Sequence, residues 1–136
     1  MLLLDSEALS VIARGPARRR DRVRALIAEM RRRELPVGTV AAVLAEVVRG
    51  QPRDTGVFAG PRRERVEVHP VDTPVGVRAG QLLEAARRGS EHAVDAFLVA
   101  VADLAGGAVI ATVDPRDMHP LATHAAGVAI ADIGRA

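Results

Sequence analysis

The chain of 136 residues contains no cysteine, no tryptophan, no tyrosine and no lysine. The missing cysteine excludes disulfides, thiolate metal sites and cysteine nucleophiles together, and leaves the redox compartment undetermined. Without lysine there is no P-loop lysine, Schiff base or Ser–Lys pair. With only two Phe, a core has to be assembled from Leu, Val, Ile and Ala. No apolar run approaches the roughly 20 residues that span a bilayer, so no membrane association is expected. The opening MLLLDSEAL has no basic leader and does not read as a signal peptide, so a cytoplasmic location is expected.

What is present describes a globular domain. Hydrophobic residues make up 49% and charged residues 26%, which is not a disordered composition. The length fits one domain over residues 1–136, with room for a real core and none for a second. All nineteen basic residues are arginine, and the formal charge is only +2. Together with the Ala, Gly, Val and Pro content this resembles GC-rich codon usage, so partners must be argued from local clusters rather than from the arginine count. Nine of the nineteen fall between Arg14 and Arg33. That cluster has two readings: a surface for phosphates or an acidic partner, or a solvated face swollen by codon usage.

In chain order, Leu2–Leu4 is a short strand ending in Asp5, and Ser6–Arg14 has the apolar spacing of a short helix that Asp5 is placed to cap. Gly15-Pro16 turns the chain into a helix over Ala17–Arg33, with Val23, Leu26, Ile27 and Met30 on one face. Leu35–Gly38 reads as extended, and Thr39 as the N-cap of a helix over Val40–Val48 that Gly50 and Pro52 terminate. Residues 51–65, interrupted by Gly56, Gly60, Pro52 and Pro61, are expected to form a loop with at most a broken helical turn. Val66, Val68 and Val71 form a strand that Pro70 sends to a sheet edge. Pro74 starts a helix to about Arg88, and Ser90 is placed to cap the next one, which begins near Ala93. Gly106-Gly107 ends that helix, and a short hydrophobic run follows to Thr112, Asp114 and Asp117. A helix over about Asp117–Ala126 and a last strand, Val128–Ile133, complete the chain. Strands separated by helices predict a three-layer α/β/α sandwich around a parallel sheet of four to five strands.

Carboxylates are what this pattern brings together. Asp5 and Asp114 end strands at the same sheet edge, where ligands bind in open α/β folds. Asp95 opens the helix that leads down from that edge. Glu46 is the only charge on its helix before Arg49; its apolar neighbours suggest partial burial, which demands an arginine or a metal as partner. If the first and fourth strands are neighbours, four acids converge. Like charges about 4 Å apart repel by roughly 4 kcal/mol at an effective dielectric near 20, so such a cluster raises its pKa values or holds cations. Oxygen-only ligands select Mg²⁺ or Mn²⁺. His69, His92, His119 and His124 have no zinc-site spacing; His92 alone, one turn before Asp95, falls near the acids.

The segments LLLDSEAL, AAVLAEVVRG, AVDAFLVAVA and IATVDPRDMHPL, in this order and spacing, resemble the acidic motifs of PIN-domain ribonucleases, specifically the small VapC-type toxins. The resemblance covers essentially the whole chain. It implies a PIN-like fold, with Asp5, Glu46, Asp95 and Asp114 as catalytic metal-binding acids, Asp117 as an additional acid, and Thr112 and Ser6 as polar site residues. It further implies Mg²⁺- or Mn²⁺-dependent cleavage of RNA and a small antitoxin partner. Apart from the resemblance, a homodimer through the apolar helices is expected. Glu7 departs from the small or polar residue more common at its position, and 51–65 lacks the helix usual where the antitoxin is gripped. With so few rings available for base stacking, recognition through the RNA backbone is expected.

Other readings fare less well. A receiver-like Mg²⁺-binding domain requires a lysine beside its acids, and a DxD phosphatase fails because Asp5 is followed by Ser6 and Glu7. A PIN-like module that binds without cleaving remains as an alternative.

Overall fold

A computed structural model describes residues 1–134. Among these, seven α-helices alternate with five strands: β1 (Leu2–Leu4), α1 (Ser6–Arg14), α2 (Ala17–Arg32), β2 (Val37–Val40), α3 (Ala41–Val47), α4 (Asp54–Arg63), β3 (Glu67–His69), α5 (Thr73–Ala86), α6 (Ala93–Leu104), β4 (Ala108–Thr112), α7 (Pro115–Ala122) and β5 (Val128–Asp132). The sheet is wholly parallel, in the order β3-β2-β1-β4-β5. This is the expected α/β sandwich. The chain winds outward from β1 to β2 and β3, then crosses to β4 and β5, so the topological switch lies between β1 and β4.

Those two strands are short and apolar because they are covered on both faces. Leu2, Leu3, Leu4, Ile110 and Ala111 are fully buried. Leu4 stands beside Ala111 in the ladder, and the Asp5 N–H continues it with a 3.2 Å bond to the Ala111 carbonyl. The Ala-rich α6 buries Ala96, Leu98, Val99, Ala100 and Ala102 completely; small residues on nearly every side allow it to sit deep in the core. The edge position expected for the strand after Arg65 is found in β3.

Several local expectations are overturned. Residues 51–65 are not a loop: α4 occupies Asp54–Arg63. Gly56 and Gly60 serve as contact points there, since a Cβ on Gly60 would come within 3.0 Å of Ile12 Cγ2 and one on Gly56 within 3.7 Å of Ala13 Cβ. The glycines let α4 lie close against α1, where Val57 and Pro61 are buried. Asp54 ties the preceding turn by accepting the N–H groups of Arg49 at 3.1 Å and Gln51 at 3.0 Å. Thr39 does not cap a helix. It lies inside β2, displaced from Leu35–Gly38 to Val37–Val40, and its hydroxyl donates to the Leu4 carbonyl at 2.7 Å. Ser90 begins a single 3₁₀ turn rather than capping α6. The helix expected from Asp117 instead begins at Pro115, because the Asp114 carboxylate accepts the Arg116 N–H at 3.2 Å and fixes its first turn.

One backbone position is tightly specified. Gly107 has φ +121°, and a Cβ there would lie 2.8 Å from the Gly127 carbonyl oxygen. Both the conformation and the close approach require glycine. Gly107→Ala is expected to lower the unfolding free energy by about 2 kcal/mol, measured as a lower urea midpoint with unchanged slope; an unchanged midpoint would show that the β4 entry is not strained.

Candidate active site

At the switch point the chain carries its carboxylates by distinct devices. Asp5 leaves β1 and turns at once into α1, accepting the Ala8 N–H at 2.8 Å. It is therefore a helix cap and a cleft acid at the same time. Asp114 plays the same double part at the end of β4, and Thr112 bridges the two: its hydroxyl hydrogen-bonds Asp5 and accepts the Asp114 N–H at 3.1 Å. Asp95 stands in the first turn of α6, Asp117 in the first turn of α7, and Glu46 near the end of α3.

All of these residues line one cleft of about 340 Å³, formed by Asp5, Ser6, Glu7, Glu46, Asp95, Thr112, Val113, Asp114 and Asp117. Every residue singled out from the sequence is thus brought to one place, including Asp117, Thr112 and Ser6. Two residues are additional. Val113 carries no chemical signal in the sequence. Glu7 does, as an acid two positions after Asp5 on the first turn of α1, and it adds a sixth carboxylate to the cleft. The expectation that Glu46 is partly buried is not met, because α3 presents it to solvent at the cleft. Its charge is nonetheless felt by Asp95.

The electrostatics follow from burial and crowding. Burial pushes the Asp5 carboxyl up to about 6; the Thr112 and Ala8 hydrogen bonds pull against it, while Asp95 and Glu7 add to the rise. Asp95 is likewise pushed up to about 6, first by burial and then by Glu46, Asp117 and Asp114, with His92 opposing. His92 therefore does lie beside the acids. The compensating arginine is peripheral: Arg116 Nε stands 3.6 Å from Asp114, with 91% of its side chain exposed.

The donors are carboxylate oxygens and a hydroxyl, partly desolvated and without an arginine in the cleft, a set that suits a hard divalent cation. Among the described residues no three His, Asp or Glu side chains are arranged to share one ion, so holding a cation requires these side chains to swing inward. The histidines make no competing site: His119 and His124 are exposed, and His69 lies over Gly38 at the end of the edge strand β3.

Fold and cleft together define a doubly wound α/β protein with an acidic pocket at its switch point. The chain matches the PIN domain family over residues 2–122 and belongs to that family. PIN domains are generally nucleases, typically use divalent metal ions and commonly bind RNA. No match is found among curated proteins. Among the described residues no helix is long and apolar enough to cross a membrane.

Proposed function

We propose that this protein is an Mg²⁺- or Mn²⁺-dependent endoribonuclease that hydrolyses RNA phosphodiester bonds, and that it acts as the toxin of a toxin–antitoxin pair. The observation that carries the nuclease reading is the cleft in which Asp5, Glu46, Asp95 and Asp114 meet with two further acids. Asp5 and Asp95, the two acids held up to about 6, are the principal metal ligands. Asp114 is a further ligand or positions water, and Glu46 is a second-metal ligand or the base. Divalent ions supply the activation of water and the neutralisation of charge on the phosphate and leaving oxygens. The chain's own residues do the rest. The Ala8 N–H and the Thr112 hydroxyl hold Asp5, Thr112 couples it to Asp114, and His92 tempers the charge around Asp95. No protein nucleophile is needed.

The toxin reading is supported by an apolar groove between α1, α3, α4 and β3. Leu9, Leu44, Val57 and Val66 line it, and Phe58 and Val68, 47% and 50% exposed, stand at its rim. An antitoxin segment would cover that surface. A homodimer through apolar helices belongs to the same proposal, as does a cytoplasmic location, with residues 1–136 acting as one catalytic domain.

The test is cleavage of a panel of structured and unstructured RNAs by protein freed of any partner. Cleavage is expected with Mg²⁺ or Mn²⁺ and is expected to stop with EDTA. Cleavage that persists in EDTA would remove the metal from the mechanism; inertness toward every RNA with either ion would favour a module that binds without cutting.

A further inference from the structure

The cleft that would cut RNA is itself poorly suited to attract it. Six carboxylates line it and no arginine does, so even two divalent ions would offset only four of its charges. Affinity for a polyanion has to come from elsewhere on the molecule.

Helix α2 offers two arginine clusters of opposite character. At its C-terminal end the guanidinium groups are committed within the protein: Arg31 binds the Glu64 carbonyl and lies 3.8 Å from its carboxylate, while Arg32 and Arg33 both pair with Glu29, the latter at 2.8 Å. Toward the N-terminal end, Arg14, Arg18, Arg19, Arg20, Arg22 and Arg24 make no hydrogen bond or ion pair through their side chains among the described residues. The Nε of Arg20 is buried without any partner. Codon usage explains how many arginines there are; it does not explain why one end of a helix neutralises them and the other leaves them all uncommitted.

α1 starts at the cleft with Asp5 and ends at Arg14, where the cluster begins. Further along, Arg22 and the Glu29-paired Arg32 line one cavity with Asp132 and Ile133, at the end of β5 that pairs with the cleft residue Thr112. Nine residues of α1, at 1.5 Å each, separate the cleft from the start of the cluster by about 13 Å. The committed arginines follow on the same helix, Arg31 coming about 10 Å of helix after Arg24, so pairing within the protein rather than distance sets the two groups apart.

We infer that the α1–α2 arginine cluster, Arg14 to Arg24, is a binding surface for the RNA phosphate backbone and holds the substrate while the adjacent acidic cleft acts on it. The inference rests on the nuclease reading above and assigns the substrate-binding surface of that same site.

The experiment compares two triple variants of equal charge change, Arg14→Gln/Arg18→Gln/Arg24→Gln and Arg31→Gln/Arg32→Gln/Arg33→Gln. Each is built on an Asp5→Asn chain in EDTA and titrated against a labelled single-stranded RNA at several salt concentrations. Glutamine keeps the helix propensity, and circular dichroism melts check that both variants fold. The first variant is expected to lose affinity by on the order of tenfold or more, with the salt slope reduced by about 2, near 0.7 for each lost phosphate contact. The second removes guanidinium groups already paired with Glu29 and Glu64 and is expected to change affinity by less than about threefold. Equal losses in the two would reduce the effect to net charge and overturn the assignment. Unchanged RNA affinity with lost binding to poly-glutamate would instead give the surface to an acidic polypeptide. RNA binding through the cluster with no cleavage by the unsubstituted protein would overturn the nuclease reading alone; cleavage with equal binding by both variants would overturn the cluster alone.

Discussion

Asp5→Asn is expected to reduce RNA cleavage at least ~1000-fold, equivalent to about 4 kcal/mol of transition-state stabilisation, while leaving the fold intact. The two effects separate because Asp5 has two tasks. As a cap it presents one oxygen to the Ala8 N–H at 2.8 Å, and asparagine is as good an N-cap as aspartate. As the buried cleft acid proposed to hold a divalent cation it would contribute negative charge to that ion, which asparagine cannot. The substitution also removes a charge whose burial is unfavourable, so the metal-free variant should melt at or above the temperature of the parent near neutral pH. Cleavage rates and circular dichroism melts on the same preparations decide it. Cleavage that survives would take Asp5 out of the site, and a collapse in melting temperature would mean that its importance is structural.

The second large effect concerns pH and metal together. Asp5 and Asp95 are held at about 6 in the folded protein, above the ~3.9 of an unfolded aspartate. Between those values the native state therefore binds more protons than the unfolded state. The stability of the metal-free protein should be greatest toward the acid end of this window, fall as pH rises from about 4 to 6, and level off above about 7. At ~1.4 kcal/mol per unit, Asp5 contributes up to about 3 kcal/mol and the more exposed Asp95 distinctly less. The ion-paired carboxylates Asp103 and Glu29 lie below the usual range because Arg78 and Arg33, respectively, hydrogen-bond them. Their opposite dependence is spent below about pH 4. A divalent cation binding only the folded protein adds about 2.7 kcal/mol at a hundredfold excess over its dissociation constant. Mg²⁺ or Mn²⁺ should therefore raise the melting temperature on the order of 10 °C at pH 7.5 and much less at pH 5. Stability that climbs with pH in EDTA, or melting indifferent to both ions, would contradict the assignment.

Much of this was legible in the sequence, and the exceptions share a cause. α1 was found to the residue because its apolar spacing and its cap are local signals. The meeting of Asp5 with Asp114 was legible only conditionally, since nothing in either strand says that β1 and β4 are neighbours. α4 was missed because Gly56, Gly60 and Pro61 act through contact with α1, and a single chain segment does not reveal what lies against it. The apolar neighbours of Glu46 point to partial burial, yet the exposed Ala41 and Ala45 of α3 leave that side of the helix open. Thr39 shows the same limit: a hydroxyl before a helix reads as a cap until a carbonyl 35 residues away claims it.

The β1–β4 adjacency also bears on fragments. Asp5 lies directly after β1, but the strand that flanks it, β4, and the acids Asp114 and Asp117 come still later than Asp95, which follows Asp5 by 90 residues. A fragment that stops before Ala108 lacks the β4 partners of Leu2, Leu3 and Leu4 and cannot assemble the cleft. For the proposed nuclease the order of elements is a safeguard: a fragment that ends before β4 carries Asp5 without the strand and the acids that complete its cleft.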